Sequence, residues 1–182
     1  MSGRRDSKAR ILRSRTVFRG PVFEVRRDEV IEPSGVRAKR DVVMHPGSVV
    51  VLPVLRDGRI ILVRQFRYAV GGYLWELVAG RKDGGETSLR AARRELQEET
   101  GYRAGRMRLF LTMFPSPGFL REPLFVFLAM RLVAGEAQPE EDERLRVQAF
   151  SVRELEAMLR RGAMRDAKSI AAILYYLEFL RR

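Results

Sequence analysis

The segment Gly80-Arg-Lys-Asp-Gly-Gly-Glu86-Thr-Ser-Leu-Arg-Ala-Ala-Arg-Arg94-Glu95-Leu96-Gln-Glu98-Glu99-Thr-Gly101-Tyr102 decides how this chain is read. Residues 88–100 contain neither proline nor glycine and set Leu89, Ala92 and Leu96 at helical spacing, so they read as a helix with those three as its core stripe. Gly101 follows as the residue that ends it, because glycine enters the left-handed backbone region without a steric penalty. On that helix Glu95 and Glu99 stand one turn apart at the edge of the stripe, with Glu98 beside them. Like charges at this spacing cost about 0.2–0.5 kcal/mol per pair, and more when partly desolvated. Arg94 can pair with Glu98 across one turn, which neutralises one carboxylate and leaves the others, with Glu86 nearby, in need of a cation. Hard carboxylate oxygens without His or Cys suit Mg²⁺ or Mn²⁺. The competing reading is a solvated acidic face balanced by Arg90, Arg93 and Arg94.

Upstream, short alternating stretches between Ile11 and His45, broken at Gly20-Pro21 and Pro33-Ser34-Gly35, predict antiparallel strands. Ser48–Leu55 and Gly58–Arg64 are β-branched runs on either side of Asp57-Gly58, which predicts a hairpin. Downstream, Met107–Phe114 and Leu124–Leu132 read as strands around a Pro/Gly loop. Ser151 and Glu154 form a capping box for a helix reaching Arg161. A last helix over Ser169–Leu180 is apolar on most faces and should be buried in the core or against a second subunit. The fold class is α+β. Residues 1–9 are expected to be an unstructured basic tail, 10–45 a small β subdomain, and 46–182 the main domain.

The composition excludes several classes of function. There is no cysteine and a single histidine, His45, so disulfides, thiolate zinc, a cysteine nucleophile and a multi-histidine metal site are all ruled out within one chain. No apolar run reaches the roughly 18 residues of a membrane span, and the basic N-terminus lacks an apolar signal core. A cytoplasmic location without membrane attachment is therefore expected. The net charge of +12 rests on 35 Lys and Arg, only four of them lysine, and favours phosphate-bearing partners. The arginines are dispersed and not interleaved with aromatics, which disfavours nucleic acid.

The full pattern, Gly-x5-Glu-x7-Arg-Glu-apolar-x-Glu-Glu-x-Gly-apolar, is the signature of the Nudix hydrolases, and every fixed position is met between Gly80 and Tyr102. The chain resembles that family. The resemblance implies an α/β/α sandwich with a mixed sheet, a small N-terminal antiparallel sheet used in dimerisation, and hydrolysis of a nucleoside diphosphate linked to a second moiety with Mg²⁺ or Mn²⁺. It assigns metal ligation to Glu95 and Glu99, with Glu98 and Glu86 as further candidates, and an orienting role to Arg94. The flanks Trp75–Gly80, Val63–Arg67 and Phe114-Pro115-Ser116-Pro117-Gly118-Phe119 look like the ADP-ribose pyrophosphatase branch. From that branch come the Ala79 carbonyl as a ligand, Glu141 in the acidic run Glu140–Glu143 as the base that activates water, and Glu143 as a further ligand. Glu122 is the alternative base, beside a departure from the family pattern at Leu120-Arg121.

Arg67 and Arg40 are candidate nucleotide ligands and Phe23 a candidate stacking partner for adenine. For these the plain alternatives are surface arginines and a core aromatic. His45 and Trp75 are read as structural. The resulting expectation is a homodimeric, Mg²⁺-dependent enzyme hydrolysing ADP-ribose to AMP and ribose 5-phosphate. GDP-mannose or a broad range of nucleotide sugars is the alternative substrate. A non-catalytic nucleotide- or RNA-binding protein of the same fold is the alternative of another class.

Overall fold

The computed structural model describes residues 8–135 and 145–181. The chain divides into two units. One contains the residues up to Gly47 together with Phe114–Pro123, and the other Ser48–Met113 with the residues from Leu124 onward.

In the first unit, β1 (Arg10–Arg19), β2 (Glu24–Ile31) and β3 (Arg37–Met44) form an antiparallel meander. The Pro/Gly loop contributes a short fourth strand, β9 (Leu120–Arg121), which runs parallel to β3 through Val43–Leu120 and Met44–Arg121. The loop predicted between two strands of the main domain thus belongs structurally to the N-terminal sheet. Every residue of β1 is exposed, including Ile11, Leu12, Val17 and Phe18, and β1 lies at the sheet edge.

The second unit holds two sheets. One has the order β7 (Val78–Arg81), β4 (Ser48–Pro53), β10 (Leu124–Val133), β8 (Arg103–Met113). The other is β11 (Arg146–Phe150), β5 (Ile60–Arg67), β6 (Gly72–Glu76). Strand β4 explains the layering. Val49 and Val51 pack with Ala91, Ala92 and Leu96 of α1 (Ser88–Thr100). Val50 and Leu52, on the opposite face, pack with Leu155 and Met158 of α2 (Val152–Arg160) and Ala172 and Ile173 of α3 (Ala167–Tyr175). A strand covered on both faces reads as a continuous apolar run, and here it sits between helical layers. This is the expected α/β/α sandwich.

Three local expectations change. The 48–64 hairpin forms only its turn, with Gly58 at φ 83° and a single bridge between Val54 and Ile60. Its strands then part into different sheets, because β7 and β10 take both edges of β4. Leu89 is 40% exposed, and the buried face of α1 is Ala91, Ala92, Leu96, Glu99 and Thr100. The terminal helix starts at Ala167, with Asp166 as its cap, and loosens into a π-type turn over Tyr176–Leu180, where Phe179 is exposed. The Ser151/Glu154 capping box is formed as expected. Among the described residues no helix is long and apolar enough to cross a membrane.

Candidate active site

Helix α1 is held at both ends by local chemistry. Thr87 Oγ1 accepts the Arg90 N–H at 3.3 Å, and Gly101, at φ 73°, returns its own N–H to the Gln97 carbonyl. Burial of Leu96 and the two alanines against β4 fixes which way the helix faces, and that orientation carries Glu99 into the buried side, only 3% exposed.

Arg94 organises the carboxylates. Its Nη1 donates to Glu95 at 2.7 Å and to Glu98 at 2.9 Å. Its Nε and Nη2 donate to the two oxygens of Glu86 at 3.4 and 3.1 Å, and Nη2 also donates to the Arg81 carbonyl at 3.0 Å. One guanidinium therefore serves three carboxylates, where helix spacing alone predicts a single pair. It also fastens the glycine-rich loop to the helix. Partial burial works against the Glu86 carboxylate, but the Arg94 guanidinium outweighs it and holds that carboxyl below its ordinary range. Desolvation opposes the Arg94 charge, and the surrounding carboxylates reverse that and push its pKa up.

Gly80 shows why this position lacks a side chain. A Cβ placed there would fall inside the carboxylate of Glu95. The backbone of β7, with Ala79 immediately before, is thus approached directly by a helix carboxylate whose side chain is 12% exposed. Oxygen donors only, three of them on one helix and one cradled against a glycine, fit a hard divalent cation better than any softer metal. Among the described residues no three ligating side chains converge into a ready-made cage, because Arg94 stands between the carboxylates.

Arg67 on β5 is part of a cluster not anticipated from the sequence. Its Nε and Nη2 both donate to Glu76, at 2.8 Å each, and Lys168 also bonds that carboxylate. Glu76 is 1% exposed. Its burial alone would raise its pKa, but Arg67 and Lys168 together hold it below the usual range. A glutamate inside the apolar run Tyr73–Ala79 was the available signal, since charged residues are almost never buried without partners.

The remaining candidates lie in the first unit or outside the described residues. Arg40 pairs with Glu32 on the exposed sheet surface. Phe23 is 40% exposed against Phe18 and lines a cavity of about 520 Å³ with Arg19, His45 and Arg121. Glu122 lies 3.4 Å from His45 Nδ1, which also accepts the Gly47 N–H at 3.1 Å, so the histidine read as structural has two polar neighbours. Trp75 packs edge-on against Phe150, as a structural residue should. Glu141 and Glu143 lie outside the described residues.

Residues 44–173 match the Nudix domain, and residues 10–43 match the nucleoside diphosphate sugar hydrolase N-terminal domain. The chain belongs to the Nudix family. An ADP-ribose pyrophosphatase of Bacillus subtilis is 37% identical over 87% of this chain and 87% of its own length. A GDP-mannose pyrophosphatase of Citrobacter koseri is 32% identical over 77% of this chain and 78% of its own. A crystal structure of an ADP compounds hydrolase superposes with a TM-score of 0.82, covering 95% of this chain and 94% of that one. At 24% identity that likeness concerns the fold. As a Nudix hydrolase, the chain is an enzyme of a family that generally works with divalent metal ions.

Proposed function

We propose that this Nudix hydrolase cleaves the pyrophosphate bond of ADP-ribose, giving AMP and ribose 5-phosphate. The observation that carries the reading is the Arg94-clamped carboxylate set, with Glu95 pressed onto Gly80. Nucleotide binding alone would not require such a concentration of like charge.

Glu95, Glu98 and Glu99, with the Ala79 carbonyl and Glu143, would hold Mg²⁺ or Mn²⁺. When bound, such ions neutralise the diphosphate oxygens and stabilise the leaving phosphate. Arg94 keeps the carboxylates oriented between turnovers. Glu141 takes a proton from the attacking water while the new oxygen–phosphorus bond forms and the bridging bond breaks; Glu122 is the alternative base. Arg67 holds the nucleotide, so that binding energy is spent on orientation, and Arg40 and Phe23 are further candidates as groups donated across the dimer interface. A homodimer through the N-terminal sheet is supported by the exposed apolar side chains of edge strand β1. Domain limits of 10–45 and 46–182, and a cytoplasmic setting, complete the proposal.

GDP-mannose is the second reading, favoured by the Citrobacter koseri relative. Purified protein with Mg²⁺ should be given ADP-ribose and GDP-mannose side by side, and kcat/KM measured for each. ADP-ribose should be preferred by at least about tenfold, a difference of roughly 1.4 kcal/mol in transition-state binding. A preference for GDP-mannose transfers the assignment, and turnover of neither overturns it.

A further inference from the structure

The buried charges around Glu76 form a chain of contacts with a direction. Arg67 uses Nε and one N–H of Nη2 on Glu76, both at 2.8 Å, so one edge of its planar guanidinium is fully committed. No described hydrogen bond uses Nη1. The Glu76 carboxylate, helped by the charges of Glu99 and Asp166, holds the Arg67 guanidinium above its ordinary pKa despite its partial burial. Its side chain is 38% exposed, whereas Glu76 beneath it is 1% exposed.

Below Glu76 stands Lys168, 16% exposed, which bonds Glu76 and lies 3.0 Å from Asp166. Asp166 caps α3 by accepting the Ser169 N–H at 3.0 Å. Ser169 Oγ accepts the Leu77 N–H at 2.7 Å, across 92 residues of sequence. Two cations and two carboxylates thus balance one another, and they join β5, β6 and the start of α3 at the point where the chain enters Val78–Arg81.

A stability role alone does not require this arrangement. Buried ion pairs are often no better for stability than apolar groups of the same volume. What the cluster does achieve is geometric. A bidentate carboxylate fixes the plane of a guanidinium, and a second cation behind the carboxylate keeps it ionised and fixed in place.

We infer that Glu76 and Lys168 are positioning residues that lock Arg67 with its free guanidinium edge turned outward, to receive the anionic diphosphate of the substrate. This rests on the reading of Arg67 as a substrate ligand given above. Lys168 touches no substrate, and its contribution to binding passes entirely through Glu76 and Arg67.

The test is a double-mutant cycle on the whole protein with ADP-ribose and saturating Mg²⁺. Lys168→Met should raise KM by about tenfold and leave kcat within about twofold, because ground-state and transition-state binding weaken together. Lys168→Arg, which keeps the charge, should stay within about threefold of the parent KM. Arg67→Gln should raise KM further, and adding Lys168→Met to it should change KM by no more than about twofold, since the two act in series. Thermal melts separate folding from binding, and Lys168→Gln replaces Lys168→Met if the latter does not fold. Additive effects on KM, or a fall in kcat alone with unchanged KM, overturn the positioning role. If Arg67→Gln itself leaves KM unchanged, Arg67 is not a substrate ligand and the inference falls with that reading. If Arg67→Gln raises KM while Lys168→Met is silent, only the inference falls.

Discussion

A single methyl group added at Gly80 should disable the site without unfolding the protein. Gly80 lies in extended β7 with no left-handed backbone requirement, so Gly80→Ala brings only the Cβ. That atom would overlap the Glu95 carboxylate, where ordinary carbon contacts are about 3.5–4.0 Å. Glu95 must therefore withdraw by on the order of 1 Å or more, and it drags at its 2.7 Å bond with Arg94. A displacement of that size at a reacting centre can cost ~100-fold, equivalent to about 2.7 kcal/mol of transition-state stabilisation. The stability cost should be smaller, about 1–2 kcal/mol, because the carboxylate sits beside a loop that can yield. The assay is kcat/KM against Mg²⁺ concentration, with a thermal melt in parallel. Gly84→Ala is the control: it lies in the loop that follows β7, meets nothing within 4 Å, and should behave as the parent. If Gly80→Ala stays within about threefold of the parent at every Mg²⁺ concentration, the cradle has no catalytic meaning.

Other perturbations reach the same account from different sides. Glu99→Gln should lower kcat by at least ~100-fold with the fold retained; unchanged turnover and metal dependence would return α1 to an ordinary acidic face. Among Glu141→Gln, Glu143→Gln and Glu122→Gln at saturating Mg²⁺, the first should lose kcat with little change in KM, the second should be partly rescued by more metal, and the third should change least. Loss confined to Glu122→Gln would move the base to the Pro/Gly loop. Glu76 has its pKa lowered by Arg67 and Lys168 against the opposing effect of burial, so its stabilising contribution is present above the ordinary carboxylate range and is lost as pH falls through the depressed value. Glu76→Gln should therefore flatten the acid limb of the stability curve; an acid limb identical to the parent's would show that Glu76 does not titrate with unfolding. Light scattering at micromolar concentration should give twice the mass of one chain, and a monomer would remove the dimer from the proposal.

What could be read from the sequence follows the range of the forces involved. The helix 88–100, its glycine stop and the Ser151/Glu154 box depend on neighbours within one or two turns, and all three are as predicted. The acidic spacing on α1 was visible for the same reason. The burial of Glu99 was not, because the side of the helix that faces β4 is chosen by side chains more than thirty residues away. Likewise the 48–64 turn is local, while the separation of its strands depends on β10 arriving parallel to β4 from position 124 onward. The Arg67–Glu76–Lys168 cluster spans 92 residues between Glu76 and Lys168, and no periodicity links positions that far apart. Its one trace was a glutamate among apolar neighbours, and that trace signals burial without revealing the partner.

The most direct measurement is ³¹P NMR of ADP-ribose incubated with the purified protein and Mg²⁺, followed by chelation and re-addition of the metal. The account predicts that the diphosphate signals disappear while two phosphomonoester signals, AMP and ribose 5-phosphate, grow in equal amounts. It also predicts that the reaction stops on chelation, resumes when Mg²⁺ is restored, and is absent in Glu99→Gln. Diphosphate signals unchanged beyond the protein-free control, from a folded protein with Mg²⁺ present, would contradict it.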